Sequence, residues 1–376
     1  MLKNCGIALF IWALLMVTAC SEEESEKIID IADQPEEPVD LAELPEVELH
    51  QKHVIRETDE RIFGNPVELH TDEHGYIYMP DLQRNKLLGF HPELNTKITI
   101  GGEGDGPGEF GMLPRGVTMI GQDQRFYIYD PSNNRISVFD FVDDAWSLDN
   151  SITLQDHVQG NPKLLKSDGN IIVGARQSGN GDEEGIITQK ANLVSVNRED
   201  GELVEEELVE YNQSTMVRFR DGSRMLTGMH PYPRRTLFSR NSDNQLYKLW
   251  NEASTINIYD EDINIVDSVS IPLRSVPLTD DDRQDALNNP NYSGGEDAIP
   301  ETKPTAEWMK VDPSNRIWLR THQSPEYLVT DNTGNSLGSF DAPENFTVHQ
   351  VDEQFLYMTG EDEEGRLIAV YEYELP

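Results

Sequence analysis

The chain has 376 residues, 69 of them acidic against 30 basic, for a formal net charge of −39. With 37% hydrophobic residues there is apolar material for one large or two ordinary domains. The charge repels nucleic-acid phosphate and anionic lipid headgroups, which excludes both as docking surfaces, and an acid excess of this kind suits a salty medium in which surface repulsion is screened.

In chain order, Lys3 supplies a positive n-region and Ile7 to Val17 an apolar h-region, too short for a span of about 20 residues. Val17-Thr18-Ala19-Cys20 then offers small residues ending in cysteine, and residues 1–19 are read as a signal peptide. The tetrapeptide resembles a bacterial lipobox, which implies that Cys20 is lipidated and anchors the mature chain to a membrane. Cys5 lies in the removed segment, so no thiol remains for a disulfide or a Cys-ligated zinc. Residues 20–49 carry Glu22, Glu23, Glu24 and Glu26, then Pro35-Glu36-Glu37-Pro38 and Pro45. Like charge with so little apolar area predicts a disordered tether. The acidic run after Cys20 resembles the export tag of some Bacteroidetes-type surface lipoproteins, and a spacer facing the periplasm is the alternative. Either way the expected location is the bacterial outer membrane.

Residues 50–376 read as one all-β domain. The stretch Ile100 to Phe141 gives its repeat most fully: a glycine-dense turn, then short apolar runs parted by turn chemistry such as Asp130-Pro131-Ser132-Asn133-Asn134. A turn followed by an apolar or aromatic strand start recurs at Tyr76-Ile77-Tyr78, Phe126-Tyr127, Ile171-Ile172, Leu246-Tyr247, Ile317-Trp318 and Phe355-Leu356-Tyr357. Successor strands are expected at Lys86 to His91, Arg135 to Asp140, Leu193 to Asn197, Thr255 to Asp260, Tyr327 to Asp331 and Leu367 to Tyr373. Six four-stranded units with almost no helical periodicity predict a six-bladed β-propeller. The lone strand His53 to Glu57 is expected to complete the C-terminal blade and cover its edge. One helix is expected, capped by Thr279, with Asp280, Asp281 and Asp282 in its first turn.

The sequence GGEGDGPGEF, then PRGV, FYIYD and NRISVFD, resembles the NHL-type repeat. With Ile271-Pro272-Leu273-Arg274 and Pro277 to Arg283, the chain is similar to the six-bladed propeller lipoproteins of Bacteroidetes and related bacteria over about residues 53–376. That resemblance implies a fold and is nearly silent on activity.

Chemical motifs are scarce. Gly106 to Gly111 spells G-x-G-x-x-G without a βαβ context, and Pro114 blocks a following helix, so no dinucleotide site is expected. Neither a P-loop, a calcium loop, H-E-x-x-H nor G-x-S-x-G occurs. What stands out is a basic run: Arg218, Arg220, Arg224, Arg234, Arg235 and Arg240, with His230 and Tyr232, in a strongly acidic chain. His230-Pro-Tyr-Pro-Arg-Arg235 reads as an exposed, semi-rigid loop. Guanidinium forks and a tyrosine suit an anionic sugar at the mouth of a central channel, with Arg115, Arg320 and His322 as further contributors. Pairing of these arginines with acidic neighbours is the structural alternative. The function expected is a membrane-tethered binding or scaffold module, for an anionic glycan or a partner protein. A propeller enzyme is the alternative, either a calcium-dependent lactonase or a lyase with His230 or His322 as base. No catalytic residue, resident metal or cofactor is assigned from the sequence, calcium being the ion that the lactonase alternative needs.

Overall fold

In the computed structural model the described residues are 38–58, 63, 68–93, 96–113, 118–143, 145–177, 184–221, 224–290, 292 and 294–376. The expected signal peptide, Cys20, the tether up to residue 37 and Arg115 lie outside them.

Among the described residues the chain forms six antiparallel sheets in sequence order. The first holds His70–Thr71, Ile77–Asp81, Lys86–His91 and Thr96–Ile100, and the second Thr118–Ile120, Phe126–Asp130, Arg135–Val142 and Ala145–Thr153. The third has five strands, Gly160–Leu165, Ile171–Arg176, Gly185–Val196, Leu203–Asp221 and Arg224–Met229. The fourth runs Thr236–Arg240, Leu246–Trp250, Thr255–Tyr259 and Ile265–Ser270; the fifth Trp308–Val311, Ile317–Arg320, Tyr327–Thr330 and Ser336–Phe340. The sixth joins Phe346–Val351, Phe355–Asp362 and Gly365–Glu374 to the N-terminal strand Glu48–Arg56. All six expected strand starts fall at or beside second strands, and every expected successor falls on a third.

A recurring aspartate explains why the strand starts were legible. Asp72, Asp312 and Asp352 each accept backbone N–H bonds within the turn before the second strand, and each also takes a ring donor from that strand. The donors are the Tyr78 hydroxyl at 2.6 Å, the Trp318 indole at 2.9 Å and the Tyr357 hydroxyl at 2.5 Å. Asp123 accepts from the Tyr127 hydroxyl at 2.8 Å in the same way. The ring is thereby pinned with its polar end satisfied and its body in the core.

Successive sheets cover one another's faces, so second strands such as Phe126–Asp130 and Leu246–Trp250 are buried along their whole length. Apolar clusters join the first three sheets, the third to the fourth, the fourth to the fifth and the fifth to the sixth. A last cluster packs Ile368 and Val370 of the sixth against Ile77, Met79 and Leu88 of the first, closing a ring. First strands of neighbouring sheets touch along its axis. This is a β-propeller. Closure runs through the N-terminal strand, which pairs antiparallel with Gly365–Glu374 from Glu48↔Glu374 to Arg56↔Leu367.

The glycine-rich segment connects the first and second sheets. Gly101 has φ 74°, and a Cβ there would stand 2.1 Å from the Phe110 ring. The Arg135 guanidinium donates to the carbonyls of Asp105, Gly106 and Glu109 at 2.9, 2.8 and 2.5 Å. The loop thus turns its carbonyls inward, the reverse of the N–H cradle that a phosphate requires.

Two expectations change. Residues 38–49, assigned to the disordered tether, are ordered: Leu41 and Val47 are buried, and Pro45 and Val47 bond to both sides of Ser339. Two apolar side chains and a strand edge to cap are enough to hold a stretch whose composition reads as disordered. The third unit is not four-stranded: it has a fifth strand, so that Arg218 and Arg220 lie in its fourth strand and Arg224 in its fifth. The helix is as expected, Asp280–Asn288, with Thr279 and Asp282 forming a reciprocal capping box.

Candidate functional site

The structure disperses the basic run. Arg220 lies on the third sheet's outer hairpin, paired with Glu184 at 2.9 Å. Arg234, expected to be exposed, is buried: it donates to Tyr232 O at 3.1 Å and to Thr302 O and Oγ1 at 2.9 and 2.7 Å, with Glu252 at 3.5 Å. It staples one loop to another. His230 is also enclosed, its Nδ1 3.4 Å from Thr215 Oγ1. Burial, then the Arg234 charge, push the His230 imidazole down to about 4, which keeps it neutral. Arg240 ends its strand at the opposite end of the axis and donates to the Ile120 carbonyl.

Arg235, Arg320, His322 and Tyr232 do come together, around a carboxylate that sequence reading missed. Arg235 and Glu307 immediately precede the first strands of the fourth and fifth sheets, so both stand at the same end of the ring axis. Buried Asn251 fixes that neighbourhood by accepting from the Arg235 backbone N–H at 2.7 Å and donating to Ala306 O at 3.0 Å. Glu307 lies 3.1 Å from His322 Nε2 and 3.8 Å from Arg320, and its carbonyl accepts from the Arg235 guanidinium at 2.7 Å. Burial would raise the Glu307 carboxyl, but the His322 bond, with Arg320 and Arg235 behind it, holds it below the usual range. Nothing in the local sequence marks Glu307 or Asn251, because their partners come from distant segments.

Tyr232 is the aromatic member. Set between Pro231 and Pro233, it holds φ at 52°, a conformation that costs a bulky residue about 1–3 kcal/mol and persists where packing enforces it. Its ring meets the His322 ring edge-on at 6.1 Å, and Lys303 Nζ lies 5.6 Å from its centroid. Its hydroxyl donates to Asp282 Oδ1 at 3.3 Å; burial and Asp282 push the phenol up to about 12. Asp282, the helix-capping residue, also pairs with Lys303 at 2.7 Å, and that bond first of all keeps its carboxyl strongly depressed. Each cation of this mouth therefore faces a carboxylate. Arg320 further borders an open cleft of about 1290 Å³ between the fifth and sixth sheets, whose charged lining is chiefly acidic, with Glu326, Asp341, Glu344, Glu361, Asp362 and Glu363 against Arg320 and Arg366. Among the described residues the three metal-ligating side chains closest together are Glu48, His50 and Glu374. They are exposed at the outer edge of the sixth sheet, away from the axis.

No family model matches the chain, and no curated protein matches it. Among solved structures, a member of the DUF4221 family from Bacteroides vulgatus aligns over 89% of this chain and 99% of its own, at 10% identity and a TM-score of 0.53. A streptogramin B lyase covers 88% of this chain and 98% of its own at 10% identity, with a TM-score of 0.43. A gluconolactonase from Xanthomonas campestris covers 92% and 95% at 13% identity, with a TM-score of 0.41. The first shares the fold, and at such identity the fold is all that the likeness shows.

Proposed function

We propose that the chain is a six-bladed propeller lipoprotein, anchored through Cys20 at the bacterial outer membrane, that acts as a binding module for a glycan. The observation that supports this is the partly exposed mouth formed by Tyr232, His322, Arg235, Arg320, Lys303 and Glu307. It presents an aromatic face, hydrogen-bond donors and acceptors whose charges balance. Balanced donors and acceptors around an aromatic ring suit sugar hydroxyls, whereas an anionic ligand would face the acidic cleft beside Arg320. The anionic preference suggested by the arginine run is therefore replaced by a neutral one. The alternative enzyme reading draws on one contact, the Glu307–His322 pair at 3.1 Å, a carboxylate that could orient an imidazole base. His230, buried and neutral, has no access to a substrate.

Calorimetry with matched panels of neutral, uronic-acid and sulfated oligosaccharides tests the reading. A neutral oligosaccharide is expected to bind, with Tyr232→Ala and Glu307→Gln each weakening it at least about tenfold, the loss of about 1.4 kcal/mol typical of one well-made contact. Binding confined to the acidic sugars, or unaffected by both substitutions, would overturn it.

A further inference from the structure

The axis of the ring has a different character from the mouth. Lys163 and Lys310 sit on the first strands of the third and fifth sheets, and Arg240 on that of the fourth. Both lysines lie deep in the molecule yet remain partly exposed, as side chains lining a narrow central channel do. The Lys163 position follows from a β-bulge: Pro162 pairs with Val173 and Leu164 with Ile172, leaving Lys163 unpaired between them. Its ammonium reaches across to the fourth sheet, 5.1 Å from the centre of the Phe238 ring. On the fifth sheet Met309 and Val311 pack into the apolar core, and alternation turns Lys310 to the other side.

One carboxylate, Glu68 beside the first strand of the first sheet, acts on both lysines. The first sheet is adjacent to neither the third nor the fifth, so Glu68 reaches them only across the axis. It is also shared with His70, whose Nε2 lies 3.5 Å from its Oε1. Arg240 adds a further positive field at Lys310. Asp123, which Arg240 also feels, is already bonded to Tyr127 and Arg198 at 2.8 and 3.1 Å. Among the described residues, Arg240 Nη1 and Thr118 Oγ1 are enclosed without a hydrogen-bond partner. Among the described residues, two lysines and an imidazole thus face one carboxylate, Glu68, with Arg240 at the end of the axis beside Asp123, inside a protein of net charge −39.

We propose that this channel binds a small oxyanion of the phosphate or sulfate type, held by Lys163 and Lys310 with Arg240 at one end. Uncompensated cations in a confined space cost stability unless an anion joins them. Consistent with that, burial pushes the Lys163 ammonium down to about 8 and lowers Lys310, Glu68 only partly opposing. The proposal stands apart from the glycan reading: it concerns other residues, another ligand and the interior of the ring.

The test is titration of the purified protein with inorganic phosphate, in parallel with Lys163→Met, Lys310→Met, the double variant and Tyr232→Ala. Wild type is expected to bind saturably in calorimetry. Its melting temperature should rise about 5 °C at a hundredfold excess over the dissociation constant, measured at constant ionic strength. Each lysine variant should bind at least about tenfold more weakly, and the double variant should lose the response. Without phosphate the variants should melt no lower than wild type, because an unbalanced buried cation has been removed. Tyr232→Ala should bind phosphate as wild type does, so loss of glycan binding and loss of phosphate binding are read separately. The proposal is overturned if wild type shows no saturable binding at millimolar phosphate, or if the double variant binds equally well. It is equally overturned if the lysine variants melt several degrees lower in phosphate-free buffer, which would make the lysines structural partners of Glu68.

Discussion

His230 is sealed beside Thr215 and Arg234, and its pKa near 4 stands well below the 6.5 of an exposed imidazole. Between those values the unfolded chain binds a proton that the folded chain refuses. Stability is therefore intact above about pH 6.5 and declines as pH falls toward 4, by roughly 3 kcal/mol in all. The carboxylates held low act in a different window: Asp331, depressed to about 2 by its Asn335 and Thr333 bonds against burial, loses its contribution only below its ordinary 3.8. His230→Gln should remove the upper window. Denaturant unfolding at pH 7 and pH 4 is expected to show wild type losing about 3 kcal/mol relative to the variant, and an equal change in both would refute the assignment. Neither His230 nor Arg234 was legible as a core residue. A run of Pro, Tyr and Arg looks exposed, and what buries it is Thr302, 68 residues beyond Arg234. The same holds for Glu307 and for Lys163 and Lys310, since single charges in or beside short strands look solvent-facing until the ring places them.

Among elements, the strands were legible because their signals are local: a turn aspartate or glycine followed by an aromatic strand start, with the Asp–ring bond within six residues. The N-terminal strand was legible by topology, since the last sheet would otherwise leave an edge exposed. The segment before it was not. Leu41 packs among the apolar side chains joining the fourth and fifth sheets, and Val47 among those joining the fifth and sixth. Its backbone is also tied in, Val39 N to Pro272 O at 2.9 Å and Ser339 Oγ to Leu41 O at 2.7 Å. Burying two such side chains contributes about 3–6 kcal/mol before the entropy of ordering the segment is subtracted. A chain starting at residue 50 should therefore be less stable than one starting at 38 by about 2–4 kcal/mol in urea unfolding. Equal midpoints would mean that the segment only decorates the surface.

At the scale of the whole molecule the net charge of −39 sets the response to salt. Its surface ion pairs, such as Lys52–Glu372 at 2.5 Å and Arg56–Asp362 at 2.7 Å, are exposed, and such pairs contribute about 0–1 kcal/mol each. Screening them costs little. Repulsion among the surplus acids acts over many more pairs and over longer distances, because the Debye length is about 30 Å at 0.01 M and about 3 Å at 1 M. The repulsive sum therefore dominates, and salt relieves it. The melting temperature should rise steadily from 10 mM to 1 M NaCl, and a flat or falling curve would sink the argument. The axis responds in the opposite sense, since the attraction of Lys163 and Lys310 for an oxyanion is itself screened. Phosphate affinity should fall over the same range in which the fold becomes more stable. In the double lysine variant the rise of melting temperature with NaCl should persist, because it originates on the exterior. If the variant lost that rise, the salt effect would come from chloride entering the channel, and the exterior charge would have little part in it.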